Sequence, residues 1–224
     1  MDRYKDLIAA FPIFGKLTPD QLKTIDSTRI ERSVKKGTVI HNGSVECTGL
    51  LMVRSGQLRA YYLSDEGREI TLYRLFDYDV CMLSAACVMR GLQFEVIIEA
   101  EKDTDICIIP PYIYKSVMEQ SAALANYTSE IMANRLSEVM WLMEQIMWKS
   151  LDKRLADFLL AEAALEGTNS LRITHEAIGN HMGSAREVIT RMLRYFQSEA
   201  MVRLTRGVVE ITDEQKLRSL RDTK

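Results

Sequence analysis

Short apolar runs separated by turn residues fill the first half of the chain, and longer stretches with helical spacing fill the second. Between about residues 30 and 110, Gly37, Gly43, Gly49, Gly56, Gly67 and Gly91 punctuate the runs Thr38 to Ile40, Leu50 to Val53, Leu58 to Leu63 and Ile70 to Leu75. Short strands broken this often predict a β-sandwich or barrel. Ser64-Asp65-Glu66-Gly67 predicts a hairpin turn, because glycine tolerates the positive φ of tight hairpins. Two more runs, Phe94 to Ala100 and Asp105 to Ile109, end at Pro110-Pro111, which cannot continue a ladder, so the β-domain is expected to close near residue 110.

From Tyr112 to about Gly167 the period becomes helical and proline is absent, with one long segment from roughly Asn126 to Trp148. Met132, Val139 and Ile146 recur every seven residues, and Leu136 with Met143, or Leu142 with Ile146, thicken the same stripe, with Arg135 expected beside them in a dimer interface. Such a helix either packs on its own domain or forms a dimer seam of about three heptads; its place between two domains favours the seam. Trp141 and Trp148 are read as packing residues.

The segment from Leu151 to Lys224 reads helix, turn, helix, hairpin. Thr174 is a candidate N-cap for a helix from His175 to Met182, Gly183 breaks it, and Ser184 is a candidate cap for a second helix from Ala185 to about Ser198. Arg203 to Ile211 alternates around Gly207 as a hairpin would. Two short helices around a glycine turn, followed by a hairpin, predict a winged helix-turn-helix. Charge agrees with this. The chain carries 29 Lys plus Arg against 31 Asp plus Glu, a formal net charge of −2. Yet between Arg172 and Arg206 six arginines stand against three acids, a local excess where a phosphate backbone would be met.

The 224 residues, 47% hydrophobic and 27% charged, suffice for one or two packed domains and exclude a disordered tail or a uniformly basic, histone-like protein. Cys47, Cys81, Cys87 and Cys107 share no CxxC spacing, so no zinc ribbon is expected. No secretory leader or membrane-length apolar stretch is read, and a reducing cytoplasmic compartment is expected.

With these segments in view, the chain resembles the Crp/Fnr transcription regulators over nearly its whole length. Phe14 to Leu22 is similar to the family's N-terminal helix, Lys36 to Ile40 to its first roll strand, and Ser55 to Arg59 and Asp65 to Ile70 to its central hairpins. The most specific match is Ile173 to Leu193, a scaffold helix, a glycine turn and a recognition helix carrying Arg186-Glu187 with Arg191 four residues after the glutamate. The resemblance implies an α+β chain: an N-terminal double-stranded β-helix (jelly roll) effector domain at 1–111, a helical linker and dimerisation helix at 112–150, and a winged helix-turn-helix at 151–224. It also implies a cytoplasmic homodimer acting on double-stranded DNA at an inverted repeat, with RNA polymerase as a further partner. Arg186, Glu187 and Arg191 sit at a helix start, where arginine can grip guanine O6 and N7 and glutamate can accept from cytosine N4. Ser184, Ala185, Thr190 and Arg206 complete the expected DNA face, Ser184 and Thr190 as phosphate-positioning or capping groups.

The sensor half departs from the family pattern. Members that bind cyclic AMP carry a Gly-Glu turn and an Arg-Ser pair that grips the cyclic phosphate. Here the segment reads Asp77 to Met89, and Phe94-Glu95 occupies the Arg-Ser place. A carboxylate there repels phosphate. Val139 and Met140 stand where those members present hydroxyls, so cyclic AMP does not fit. The expected effector pocket, of Cys81, Met82, Leu83, Ser84, Cys87, Phe94, Glu95, Val139 and Met140, is apolar and Met-rich and suits a small hydrophobic ligand or a haem better. His41 is the candidate haem ligand. An iron-sulfur cluster does not fit, since no cysteine precedes Cys47. Cys81 and Cys87 are either a redox switch or two small buried hydrophobes.

A cupin-type enzyme would need a His-x-His cluster that three scattered histidines cannot supply, and no nucleophile elbow, P-loop or paired-carboxylate motif appears, so no catalysis is expected. A cyclic-nucleotide-like ligand-binding module acting through protein partners without DNA is the competing class; it would leave Arg186, Glu187 and Arg191 without work.

Overall fold

The computed structural model describes residues 4–42, 48–84 and 96–222. Their packing separates two units, Met1–Tyr62 with Leu72–Val139, and Leu63–Thr71 with Met140–Lys224.

The first unit opens with α1 (Lys5–Ala10), a 3-10 turn at Pro12–Lys16 and α2 (Pro19–Thr28). Thr18 starts α2 with a reciprocal cap: its hydroxyl accepts the Gln21 N–H at 3.3 Å, and Gln21 Oε1 accepts the Thr18 N–H at 3.0 Å. The family-like segment from Phe14 to Leu22 therefore spans the 3-10 turn and only the start of α2.

Among the described residues eight strands follow: β1 (Ile30–Val34), β2 (Val39–Asn42), β3 (Leu50–Ser55), β4 (Leu58–Leu63), β5 (Glu69–Leu75), β6 (Val80–Cys81), β7 (Val96–Ala100) and β8 (Thr104–Ile109). They form two four-stranded sheets, in the orders β1-β8-β3-β6 and β2-β7-β4-β5. Antiparallel pairs such as β3 with β8 and β4 with β7 fix the register. The jelly-roll reading is thus met by two sheets face to face. The predicted hairpin is present, with the Gly67 N–H on the Ser64 carbonyl at 2.9 Å. Its tip, Leu63–Thr71, belongs to the second unit.

The unbroken apolar run in β3 has a packing reason. Side chains alternate across a strand, and both faces of β3 are covered. Leu51 and Val53 point into the roll with Ile106, Ile108, Tyr73 and Leu75. Leu50 and Met52 point the other way, with Cys107 and Ile109, onto Phe11, Phe14, Ile25 and Tyr114. β1 and β6 lacked a legible pattern: β1 is an exposed edge carrying Glu31 and Arg32, and β6 has two residues.

α3 (Pro111–Gln120) begins on the second proline, which sits at a first-turn position needing no N–H partner. α4 (Ala122–Trp148) starts earlier than Asn126 because Ser121 Oγ accepts the Leu124 N–H at 3.3 Å. The buried Tyr114 hydroxyl meets Thr128 Oγ1 at 2.6 Å, and burial pushes its pKa up to about 12.

In the second unit come α5 (Leu151–Glu166), β9 (Ser170–Leu171), α6 (His175–Met182), α7 (Arg186–Ser198), β10 (Val202–Thr205), β11 (Val208–Ile211) and α8 (Glu214–Asp222). The three strands form one sheet in the order β10-β11-β9. Leu155, Leu159, Ile178, Ile189, Leu193, Phe196, Val209 and Leu217 make its core. Among the described residues no helix is long and apolar enough to cross a membrane.

Removing the Thr18 cap with Thr18→Ala is expected to cost about 1 kcal/mol. Urea unfolding followed by circular dichroism checks it; an unchanged midpoint would show that α2 does not depend on the cap.

Candidate nucleic-acid interface

α6 begins where Thr174 Oγ1 accepts the Ala177 N–H at 3.1 Å, the cap expected from the sequence. It ends at Gly183, whose φ of 68° is a left-handed conformation that side chains resist. Arg154 of α5 steadies this end by donating to the Met182 carbonyl at 2.7 Å. α6 and α7 approach each other through backbone: a Cβ at Gly179 would lie 2.6 Å from the Ser184 carbonyl oxygen. Ser184 does not cap α7 as expected. The N-cap position falls to Ala185, with extended backbone and no side-chain cap.

α7 is strongly two-faced. Ile189, Leu193 and Phe196, spaced i, i+4, i+7, are fully buried. The opposite side presents Arg186, Glu187, Thr190, Arg191 and Arg194 around a surface concavity of about 500 Å³. Arg186, Arg191, Arg194 and Arg206 enter no ion pair among the described residues, so their charge faces outward. Arg203 differs, since its Nε and Nη2 donate to Glu210 Oε2 at 2.8 and 2.6 Å. That pair removes one arginine from the excess read in the sequence.

Beside α7 lies a recess of about 330 Å³ between the start of α6, Arg186 and the β10–β11 turn with Thr205, Arg206 and Gly207. His175 reaches into its wall. Its Nδ1 is 2.9 Å from Thr190 Oγ1, while the Thr190 hydroxyl is 2.8 Å from the Arg186 carbonyl. Burial, and then the charges of Arg186 and Arg194, hold the imidazole below the ordinary histidine range.

The turn after α6 is also met by the hairpin tip that packs with this unit. Ile70 bridges to Met182, its side chain lies against Gly183, and Thr71 Oγ1 is 2.8 Å from His181 Nδ1. Phe158 stacks beside the same His181 ring, with centroids 5.4 Å apart. His175, His181, Thr71 and Arg154 were not among the expected site residues; only the histidines near each end of α6 hinted at them.

The expected sensor residues are spread over several places. Cys81 and Leu83 face the interior of the roll, whereas Met82 packs with Leu7, Phe11 and Phe14 on the other side of the sheet. Ser84 donates to the Gly49 carbonyl at 2.7 Å and the Cys81 carbonyl at 3.0 Å. The Cys81 thiol is fully buried, 3.5 Å from the Tyr73 hydroxyl. Val139 is half-buried and Met140 exposed. Cys87, Phe94 and Glu95 lie outside the described residues. In the first unit a polar groove of about 380 Å³ is lined by Arg74, Asp79, Tyr127, Arg135 and Glu138 among others.

Along α4, Met132 packs onto the helical core of the first unit, and Arg135 pairs with Glu138 at 2.7 Å while its guanidinium lies 4.4 Å from the Tyr73 ring centroid. Leu136, Met143 and Ile146 are exposed to 63%, 48% and 42%, with Val139 and Leu142 half-buried between them.

Residues 153–220 match the family model of the Crp-like helix-turn-helix domain. Among solved structures, a Crp/Fnr-family protein from Eubacterium rectale ATCC 33656 is 63% identical, with a TM-score of 0.94 over 96% of this chain and 100% of that one. The transcriptional activator protein Anr of Pseudomonas aeruginosa is 26% identical over 213 residues, 91% of this chain and 86% of its own length. The global regulator CLP of Xanthomonas campestris, 14% identical with a TM-score of 0.72 over 87% of this chain and 99% of that one, shares the fold.

Gly179→Ala places a methyl against the Ser184 carbonyl and is expected to cost about 1 to 3 kcal/mol by overpacking, lowering the thermal midpoint of the second unit. A midpoint equal to that of the parent protein would mean that the two helices can part without penalty.

Proposed function

The chain belongs to the Crp/Fnr family of transcription regulators, and on that premise we propose that it works as a homodimer binding specific inverted repeats in double-stranded DNA. The observation that carries this is the face of α7: three arginines and a glutamate held outward by a buried Ile189-Leu193-Phe196 stripe, with no acid of the chain pairing the arginines among the described residues. A helix start entering a major groove brings Arg186 and Arg191 to guanine edges and Glu187 to cytosine, while Ser184, Ala185 and Arg206 meet the backbone and Thr190, its hydroxyl donated to the Arg186 carbonyl, positions His175 beside it. A module acting solely through protein partners would leave this cationic face unneutralised and is not favoured.

The stripe of exposed Leu136, Met143 and Ile146 on α4, with half-buried Val139 and Leu142 between them, is the proposed seam between two copies, Met132 and Arg135 being turned to their own unit. A two-fold axis along it presents two α7 helices to successive major grooves about 34 Å apart. RNA polymerase is the proposed further partner. The roll is proposed to sense something other than cyclic AMP, whose phosphate Glu95 would repel, or an iron-sulfur cluster, for which no cysteine precedes Cys47. A small apolar ligand and an oxidation of Cys81 with Cys87 are two of the proposed signals. A haem is the third, and His41, buried with its Nδ1 3.1 Å from Thr48 Oγ1, would be the residue to hold it. Any signal that binds two dimer states unequally shifts the population competent for DNA.

Selection of bound sequences from a random duplex library, at fixed salt, under reducing conditions and again after mild oxidation, is expected to enrich an inverted repeat. No enrichment in either condition would contradict the reading. On the selected duplex, Arg186→Ala or Arg191→Ala is expected to cost about 1 to 3 kcal/mol and to relax the choice of base at one position of each half-site. Equal weakening on random duplex would show that these arginines meet phosphate alone.

A further inference from the structure

We propose that the recess between the start of α6, the start of α7 and the β10–β11 turn seats a DNA backbone phosphate, and that His175 takes a proton from solvent as the phosphate arrives, so that DNA affinity rises as pH falls. This rests on the DNA-binding reading of α7 and adds to it a contact and a proton.

The tautomer of His175 follows from its partner. The single hydroxyl proton of Thr190 is directed to the Arg186 carbonyl at 2.8 Å, so Thr190 Oγ1 can only accept from the ring at 2.9 Å. Nδ1 therefore carries a hydrogen whether the ring is neutral or charged. In the neutral ring Nε2 is then a bare lone pair, beside a recess that also holds Arg186, Arg206 and the Thr205 hydroxyl.

The free protein resists a second proton on this ring. Arg186 and Arg194 face it from α7, Arg206 from the strand turn, and Glu176 of α6 is the one acid lining the same recess. Partial burial, and then the charges of Arg186 and Arg194, hold the imidazole below its ordinary range and so favour the neutral ring. A bound phosphate reverses both influences. It neutralises the arginine field, and it sets an anion opposite a lone pair, which is repulsive until Nε2 is protonated. The protonated ring then donates a charge-assisted hydrogen bond outward. The same charge strengthens Nδ1–H to Thr190, tying the phosphate through His175 to the first turn of α7.

The sign of the pH effect follows. The free protein binds no proton at Nε2 and the complex binds one, so affinity increases as pH falls, by up to tenfold per pH unit for one proton. The other two histidines are placed elsewhere: His41 in β2 against Thr48, and His181 at the far end of α6 against Thr71.

The test is fluorescence anisotropy with the fluorescein-labelled duplex recovered by selection, titrated from about pH 8 to about pH 6 at constant ionic strength. Wild-type Kd is expected to fall on the order of tenfold over that range. His175→Gln should lose this slope, His175→Arg should bind tightly with no slope because its charge is fixed, and His181→Gln should keep the wild-type slope. A flat wild-type profile, or an undiminished slope in His175→Gln, would overturn the proposal while leaving α7 as the reading helix. Failure of the wild-type protein to select or bind any duplex across the range would overturn both.

Discussion

The α6–α7 turn is closed by backbone against backbone, and the geometry of the DNA face depends on that closeness. Gly179 leaves room for the Ser184 carbonyl where any side chain would stand 2.6 Å from it. Because the chain reverses so tightly, α7 can bury Ile189, Leu193 and Phe196 against Leu155, Leu159 and Ile178 and still turn Arg186, Glu187 and Arg191 outward. Arg154 and Thr174 hold the two ends of α6 by hydrogen bonds to or from the backbone. No ion pair of these arginines supports the fold among the described residues. Their cost is mutual repulsion, which a phosphate backbone relieves.

The same turn is where the tip of the roll hairpin packs. Ile70 lies against Gly183 and Met182, and Thr71 against His181, so these two residues close over the end of α6. Gly183 serves both sides: its left-handed backbone ends α6, and its missing side chain admits Ile70.

Local pattern made much of this legible. The bounds of α6 and the alternation of β10 and β11 around Gly207 follow from capping residues, glycine and period, which act over a few neighbours. The family-like spacing of Arg186, Glu187 and Arg191 placed all three on one exposed helix face, and α7 turns them toward one surface concavity. What could not be read depended on distance or on the pleat. Thr71 and His181 are 110 positions apart, and nothing local to either announces the other. Cys81, Met82 and Leu83 are neighbours in sequence, yet alternation sends Cys81 and Leu83 into the roll and Met82 out to the N-terminal helices. β1 hid its strand character because an exposed edge needs no apolar face. The chemistry of His175 is set by Thr190, fifteen residues away, and so emerged only from the fold.

The claim on which the rest stands is that two α7 helices of one dimer read base edges in successive major grooves. Dimethyl sulfate protection on the selected duplex addresses it directly, because the reagent marks guanine N7 in the major groove. The account predicts two protected patches, related by the two-fold of the site and about 10 base pairs apart centre to centre, each losing a protected guanine in Arg186→Ala or Arg191→Ala. A single patch, or no protection at N7 while the protein remains bound, would contradict it.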